Sequence, residues 1–384
     1  MRDTFAGSLR CPACLRDGTL VLRAESSDVH EVREGELRCA ACHTVFPVHR
    51  GVPELLHEPP EHIVAEAAGL ERFAEHMRAS GWDRETVLAL PDVEHGYWYV
   101  QARSMHQLLT TVPFQAGESI LDVGSNTCWA ANHFAERGLS AVAPDIATPE
   151  LQGLYTADYF LEDGEVFFER VLGSMDAIPL ASSSLDYVYC CEVLHHNDNE
   201  SLRRTFAEIF RVLRPGGRLL MVNETLKTLR DPHGVHAEAV EQYEGYEHAH
   251  WGLQYRWAAT RAGFFTEVTE PHYRPYFGDA EVAAVDGEDR LRAWTRRMLF
   301  ATRTAPLARR AYLAWLNNVW GGVSMNMIGT KPPRFVGHHA PMVPVERLAR
   351  TGLARLRLEI NRTRESTPTR VPRTPEQAAK QMRR

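Results

Sequence analysis

The run Ile120–Cys128 (ILDVGSNTC) gathers a carboxylate, a glycine and several small polar residues at one chain reversal. Asp122 lies near the end of an apolar strand predicted over Glu118–Val123, and Gly124 allows a tight turn with close backbone approach. A helix predicted over Thr127–Arg137 turns its unpaired N-terminal amides toward that turn. Such amides favour a carboxylate or a polar adenosyl group, and Asp122 can accept from an ammonium or fix the loop's own amides. The Gly-Lys-Ser/Thr of a phosphate loop is absent, and where a dinucleotide turn carries three spaced glycines this one has Gly124, Asn126 and Trp129. Asp145 closes the next apolar stretch 23 residues after Asp122, the spacing at which an acid reaches ribose hydroxyls.

A second constellation stands near residue 1. Cys11-Pro12-Ala13-Cys14 and Cys39-Ala40-Ala41-Cys42 are two C-x-x-C pairs separated by 24 residues, enough for two hairpins to present four thiolates tetrahedrally to a zinc ion. A disulfide reading is weaker, because no signal peptide precedes them and Cys128, Cys190 and Cys191 fall in core segments of an apparently intracellular chain. A module this small has little core of its own, so a closed, four-coordinate, structural metal would supply much of its folding free energy.

The elements that must position these residues follow in alternating order. A strand over Leu139–Asp145 is succeeded by Val166–Asp176, the strand Ser184–Val193, a helix over Glu200–Leu213, the turn Arg214-Pro215-Gly216-Gly217 and the strand Arg218–Asn223. Strands alternating with helices predict an α/β fold, a parallel doubly wound sheet. Pro59–Val112 reads as a helical lead-in with the aromatic cluster Tyr97-Trp98-Tyr99, and Ser324–Lys331 as a last, antiparallel strand.

The segments LDVGSNTCW, APDI, GSMDAIPLASSSLDYVYCCEVLHH and EIFRVLRPGGRLLMVNE resemble class I S-adenosylmethionine-dependent methyltransferases of the small-molecule group called type 11, over roughly residues 95 to 332. The cysteine segment, closing with Phe46-Pro47-Val48 and Gly51–Leu56, resembles the Trm112-like zinc ribbon. The resemblance implies S-adenosylmethionine as cofactor, with Asp122 and Gly124 at its methionine end beside Asn126 of the altered loop. It implies Asp145 on the ribose, Asp176 and Ala177 bracketing the adenine, and Glu192 to His195 flooring the reaction centre. In related enzymes a helical lead-in covers the methionine end, a role open here to Tyr97 or Tyr99, with core packing as the alternative.

The expected organisation is a zinc ribbon over 1–57, a helical linker over 58–112, and the methyltransferase domain over 113–332 with insertions at 224–251 and 286–320. A basic, partly disordered tail is expected over 333–384, where 12 Arg and Lys stand against 4 Asp and Glu. The chain has 384 residues, 44% apolar and 24% charged, enough for this partition, and no apolar run long enough to span a membrane. A cytoplasmic location is expected. The net charge of −7 leaves no basic stripe for extended nucleic-acid binding, although a ribosomal RNA methyltransferase family also joins a ribbon to this fold.

Substrate recognition must come from the inserted segments. Asn223–Trp251 holds His233, His236, Glu238, Glu241, Glu244, Glu247, His248 and His250, so a divalent metal there is conceivable beside the alternative of ordinary surface charges. Leu291–Trp320 could wall an aromatic substrate pocket, mediate a homodimer or touch a membrane surface, with helix packing as the default. An acceptor that loses a proton calls for an imidazole near its natural pKa. His195, just past the fourth strand, is the candidate base or orienting group, with His196 and His248 behind it; a buried structural histidine is the competing reading. The expected activity is methyl transfer to a small-molecule oxygen or nitrogen in bacterial specialised metabolism. Aminocarboxypropyl transfer from the same cofactor, RNA methylation and a non-catalytic adaptor are the alternatives.

Overall fold

The computed structural model describes residues 1–93, 96–162, 166–232, 248–269, 297–298, 300–302, 304–320 and 324–333, with the backbone alone at 96, 97, 99 and 100. The expectations for residues 233–247 and 286–296 of the two insertions, and for the tail beyond 333, therefore fall outside the described residues.

Residues 1–333 form one compact unit. Its centre is a seven-stranded sheet built from β5 (Ser119–Val123), β6 (Ser140–Asp145), β7 (Glu169–Leu172), β8 (Leu185–Cys191), β9 (Leu213–Glu224), β12 (Phe265–Thr269) and β13 (Met325–Thr330), in the order β12-β13-β9-β8-β5-β6-β7. The pairs from β7 to β9 are parallel, whereas β13 runs antiparallel to both β9 and β12. Strand β5 is almost wholly buried, as a central parallel strand covered on both faces must be. The order reverses where β5 meets β8, and in open parallel sheets ligands bind in the crevice beyond the carboxyl ends of the strands at such a point.

Helix α4 (Trp129–Glu136) joins β5 to β6, and α6 (Asn199–Val212) joins β8 to β9. Helix α6 starts where Asp198 accepts the amides of Glu200 at 2.9 Å and Ser201 at 2.7 Å, and it buries Leu202, Phe206, Ile209 and Val212 on the sheet. Its carboxyl end is capped by Lys331, whose Nζ donates to the carbonyls of Phe210 at 2.7 Å and Leu213 at 2.5 Å. The turn expected at 214–217 lies within β9: the β8 register moves from Leu185↔Leu213 to Tyr187↔Arg218, so the Pro-Gly-Gly segment is accommodated as an irregularity inside the strand.

Ahead of the sheet, β1 (Leu20–Ser27), β2 (Val32–Cys39), β3 (Val45–His49) and β4 (Val52–Pro53) make a four-stranded antiparallel meander. Its core is not separate. Leu9, Leu37, Phe46, Val48 and Leu55 belong to one buried cluster with Leu121 and Val171 of the large sheet and with Ile178 and Leu180 of the β7–β8 connection. The residues after β4 also lengthen the sheet edge, since the amide of Leu55 donates to Leu172 O at 2.9 Å; separately, the amide of Ala181 in the β7–β8 connection donates to Ser8 O at 2.8 Å.

Ion pairs complete this docking. Arg170 on β7 is fully buried between Glu31 of the meander and Asp158, the latter at 2.7 Å. Asp158, which opens α5 (Asp158–Leu161), also accepts from Arg33 at 3.1 Å and from Arg50 at 2.8 Å. Burial pushes the Asp158 carboxyl up, but the guanidinium groups of Arg33, Arg170 and Arg50 outweigh it and hold it at about 2. Removing one partner of a buried pair costs about 3–5 kcal/mol. Arg170→Met should lower unfolding stability by that order, read by reversible denaturation; an unchanged midpoint would contradict a structural role for the pair.

Candidate active site and metal centre

The crevice beyond β5, β6, β8 and β9 concentrates unusual backbone. Gly124, Asn126, Cys128, Glu192 and Asn223 all have positive φ, at +66°, +47°, +61°, +49° and +55°. Non-glycine residues held there cost about 1–3 kcal/mol each and cluster at functional sites. At Gly124 the glycine is obligatory twice over, because a Cβ would also collide with Val193 Cγ2. The left-handed Asn126 and Cys128 delay the helix expected from Thr127, so that α4 begins at Trp129.

Two buried carboxylates hold this loop. Asp122 Oδ2 accepts the amide of Ala131 in the first turn of α4 at 3.1 Å, and Ser125 Oγ donates to the Asp122 carbonyl and to Pro144 O. Asp145 accepts the Asn126 amide on Oδ2 at 2.8 Å and the Ala147 amide on Oδ1 at 3.0 Å. A carboxylate has about four lone-pair sites, so these bonds do not exhaust it. The Asn126 side chain donates to Gln152 Oε1 at 2.8 Å. Burial pushes Asp122 up to about 7, with the charge of Asp145 adding to it, and pushes Asp145 up to about 6. Two such carboxyls suit a ligand that brings hydroxyl or ammonium donors.

A second polar cluster lies at the ends of β8 and β9. His195 sits in a short 3-10 turn, Leu194–His196, and is 4% exposed. Its Nδ1 lies 2.7 Å from Oε1 of Glu224, the last residue of β9. His196 stacks on it at 4.5 Å and pairs through Nδ1 with Glu66 at 2.8 Å. Glu66 comes from α1 (Glu61–Ala79), which therefore reaches the crevice. The amide of His248 donates to His195 O at 2.6 Å, so the three histidines come together. Burial lowers the pKa of His195 and of His248. His250 donates through Nε2 to the Asn197 carbonyl at 2.8 Å, and burial brings its pKa down to about 4.

Helix α3 (Gly96–Thr111) crosses the same strand ends. Ser104 Oγ donates to Asn223 Oδ1 at 2.9 Å, Asn223 Nδ2 donates to Gln101 Oε1 at 3.3 Å, and the Asn223 amide donates to Asn326 Oδ1 at 2.8 Å. Tyr97 has its backbone in this helix and its side chain outside the described residues. The neighbouring Trp98 packs between Trp82 and Trp129 at 5.9 and 6.1 Å. Glu192 is half-buried at the end of β8, its amide donating to Val222 O. Asp176 accepts from Ser174 Oγ at 2.6 Å and pairs with Arg204 at 2.9 Å, while Ala177 beside it is exposed.

Residues 233–247 lie outside the described residues, and with them the acid-rich helical face considered for a divalent metal. Among the described residues one group of potential metal ligands forms, Cys11, Cys14, Cys39 and Cys42, with all four Sγ atoms within 4.8 Å of one another. Cys11 and Cys42 are 3.7 Å apart, Cys14 and Cys39 3.6 Å. A tetrahedral ion with bonds of about 2.3 Å to sulfur requires edges of about 3.8 Å, so the cage has the right size for zinc. Burial pushes the Cys39 thiol up, but donation by the Thr19 hydroxyl and the Cys42 and Ala41 amides brings it down to about 6. Burial pushes Cys11 up to about 12, and a bound cation would offset that penalty.

Residues 121–221 match the family model described as a methyltransferase domain, the span from β5 to β9 that carries the loop, both carboxylates and His195. Over that span the chain is similar to methyltransferase domains. A malonyl-[acyl-carrier protein] O-methyltransferase of Pectobacterium atrosepticum is 29% identical to it over 121 residues, 31% of this chain and 43% of the relative. An uncharacterized methyltransferase of Mycobacterium bovis is 34% identical over 110 residues, 29% and 41% respectively. The chain thus spans less than half the length of these relatives. Among solved structures, a complex between the Haloferax volcanii Trm112 methyltransferase activator and a methyltransferase matches with 16% identity and a TM-score of 0.42, over 70% of this chain and 97% of that one. No helix of the described residues is long and apolar enough to cross a membrane.

Three parts of the candidate site escape a sequence reading. Glu224 follows the expected strand end at Asn223 by one residue and was assigned to an insertion, though an acid closing an apolar strand is the same signal that marks Asp145. Gln152 and Glu66 carry no such signal; Glu66 is one of several acids on α1 and is singled out only by the fold.

Proposed function

We propose that this chain transfers the methyl group of S-adenosylmethionine to a small-molecule acceptor, with His195 as the base. The observation that carries the reading is the pair of buried carboxylates at adjacent strand ends, with Asp145 holding the loop amide of Asn126 inside the matched domain. When bound, the cofactor supplies an electrophilic methyl on a sulfonium. Asp145 would take its ribose hydroxyls, Asp122, Gly124 and Asn126 would shape its methionine end, and Glu192 would flank it at the end of β8. Asp176 and Ala177 are proposed at the adenine and Tyr97 over the methionine end, on the resemblance of their segments. An in-line displacement asks the protein mainly for positioning, worth up to about 7–11 kcal/mol. His196 and His248 line the acceptor side. The four cysteines are proposed to hold a closed, structural zinc ion, supported by the size of their cage.

Incubation with deuteromethyl-labelled cofactor and a panel of small acceptors tests the reaction. A product carrying one labelled methyl is expected. A product carrying the four-carbon amino acid group instead would overturn methyl transfer in favour of aminocarboxypropyl transfer.

A further inference from the structure

Glu224 ends β9, next to the left-handed Asn223, and is fully buried. Its Oε1 faces His195 Nδ1 at 2.7 Å and accepts the His195 amide at 3.1 Å, while Oε2 accepts the Leu194 amide at 3.1 Å. One side chain on β9 thereby holds both the ring and the short turn that presents it at the end of the neighbouring β8. Burial pushes Glu224 up, yet the His195 ring and the two amides outweigh it and keep it below the ordinary carboxylate range. Burial, with His196 alongside, lowers His195, which favours the neutral ring. A neutral imidazole nitrogen 2.7 Å from a carboxylate oxygen must carry the proton, because two lone pairs at that distance repel.

We infer that Glu224 is a positioning residue that fixes His195 as its Nδ1–H tautomer, making Nε2 the proton-accepting nitrogen, and that the acceptor is a hydroxyl compound, an alcohol or phenol. This inference rests on the methyl-transfer reading above. The acceptor oxygen forms its bond to the methyl carbon with a lone pair, the S–CH3 electron pair stays on sulfur, and the hydroxyl proton passes to Nε2 and then to solvent. A hydroxyl proton becomes strongly acidic only as the O–C bond forms, so a base weaker than free imidazole suffices. An alkylammonium must lose its proton beforehand, which such a base does poorly, and a carboxylate acceptor needs no base. The pair is also matched electrostatically: at rest it buries one negative charge, and on accepting the proton it becomes a neutral ion pair in the same dry site. Among the described residues, the groups facing it include His196 on its own turn, Glu66 from α1, His248 on the returning segment and Tyr255 from α7 (Gly252–Ala262).

The test is a long-range proton–nitrogen NMR correlation on zinc-replete protein labelled with nitrogen-15 histidine, the His195 signals being those lost in His195→Asn. The wild type is expected to show Nδ1–H at His195. Glu224→Gln should populate the Nε2–H form and lower kcat at least tenfold on a phenol or alcohol that the enzyme methylates, with KM for the cofactor within about threefold. Glu224→Asp should restore the tautomer. A wild-type Nε2–H ring, a tautomer unmoved by Glu224→Gln, or methylation confined to carboxylates or amines would each overturn the inference. Failure of the wild type to bind S-adenosylmethionine would instead sink the methyl-transfer reading, leaving the tautomer result to stand by itself.

Discussion

Asp145→Ala is expected to weaken S-adenosylmethionine binding by roughly 10²–10⁴-fold, the loss of two hydrogen bonds to a charged acceptor at about 1.5–3 kcal/mol each. The effect has two sources on one side chain. The carboxylate stands where ribose hydroxyls are proposed to donate, and it already fixes the amides of Asn126 and Ala147, so its removal also unlatches the loop carrying Gly124. Asp145→Asn separates them, because the amide oxygen retains one acceptor and the shape while the charge is lost. The charge leaves a signature in pH. A carboxyl raised to about 6 contributes stability that is present below its unfolded pKa, near 3.9, and is lost as pH rises through 6. The ligand-free Asp145→Asn variant should therefore gain on the wild type as pH goes from 5 to 8, by about 1–3 kcal/mol, in denaturant titrations at each pH. A constant difference would contradict an ionised, buried Asp145.

Loss of the proposed zinc is the second large effect expected. Structural zinc supplies about 10–16 kcal/mol of apparent binding free energy in zinc-finger peptides, and that energy is folding energy. Cys39→Ser removes a thiolate whose amide and hydroxyl donors are already in place, so the variant should bind zinc far more weakly and lose more than about 4 kcal/mol of stability. The damage should reach the large sheet, because Leu37, Phe46 and Leu55 share one core with Val171 and Leu180, and Glu31 faces the fully buried Arg170. One zinc per chain is expected by elemental mass spectrometry, with a lower melting temperature of the whole 1–333 unit after chelation. Protein purified without zinc, with four reactive thiols and unaltered melting, would contradict the assignment.

The strands carrying chemistry were legible because each is a short apolar run closed by a polar residue. The expected Leu139–Asp145 is β6, Ser140–Asp145, and the expected Ser324–Lys331 is β13, Met325–Thr330. Boundaries moved where backbone conformation overrode propensity. The helix after the 124–128 loop starts late because Asn126 and Cys128 are left-handed, and β9 absorbs a Pro-Gly-Gly turn because β8 and β13 flank it. What no local pattern shows is pairing across distance. Arg170 meets Glu31 over a separation of 139 residues, and Glu66 meets His196 only because α1 folds back over the strand ends. The ribbon looked too small to hold a core, and its core proves to be continuous with that of the sheet.

Calorimetric titration of zinc-replete protein with S-adenosylmethionine and S-adenosylhomocysteine tests the central claim most directly. Saturable binding of both with dissociation constants of the micromolar order, about −8 kcal/mol, is predicted for the wild type, and its loss in Asp145→Ala. Heat of dilution alone for both ligands, from protein with full zinc content and a cooperative melting transition, would contradict it.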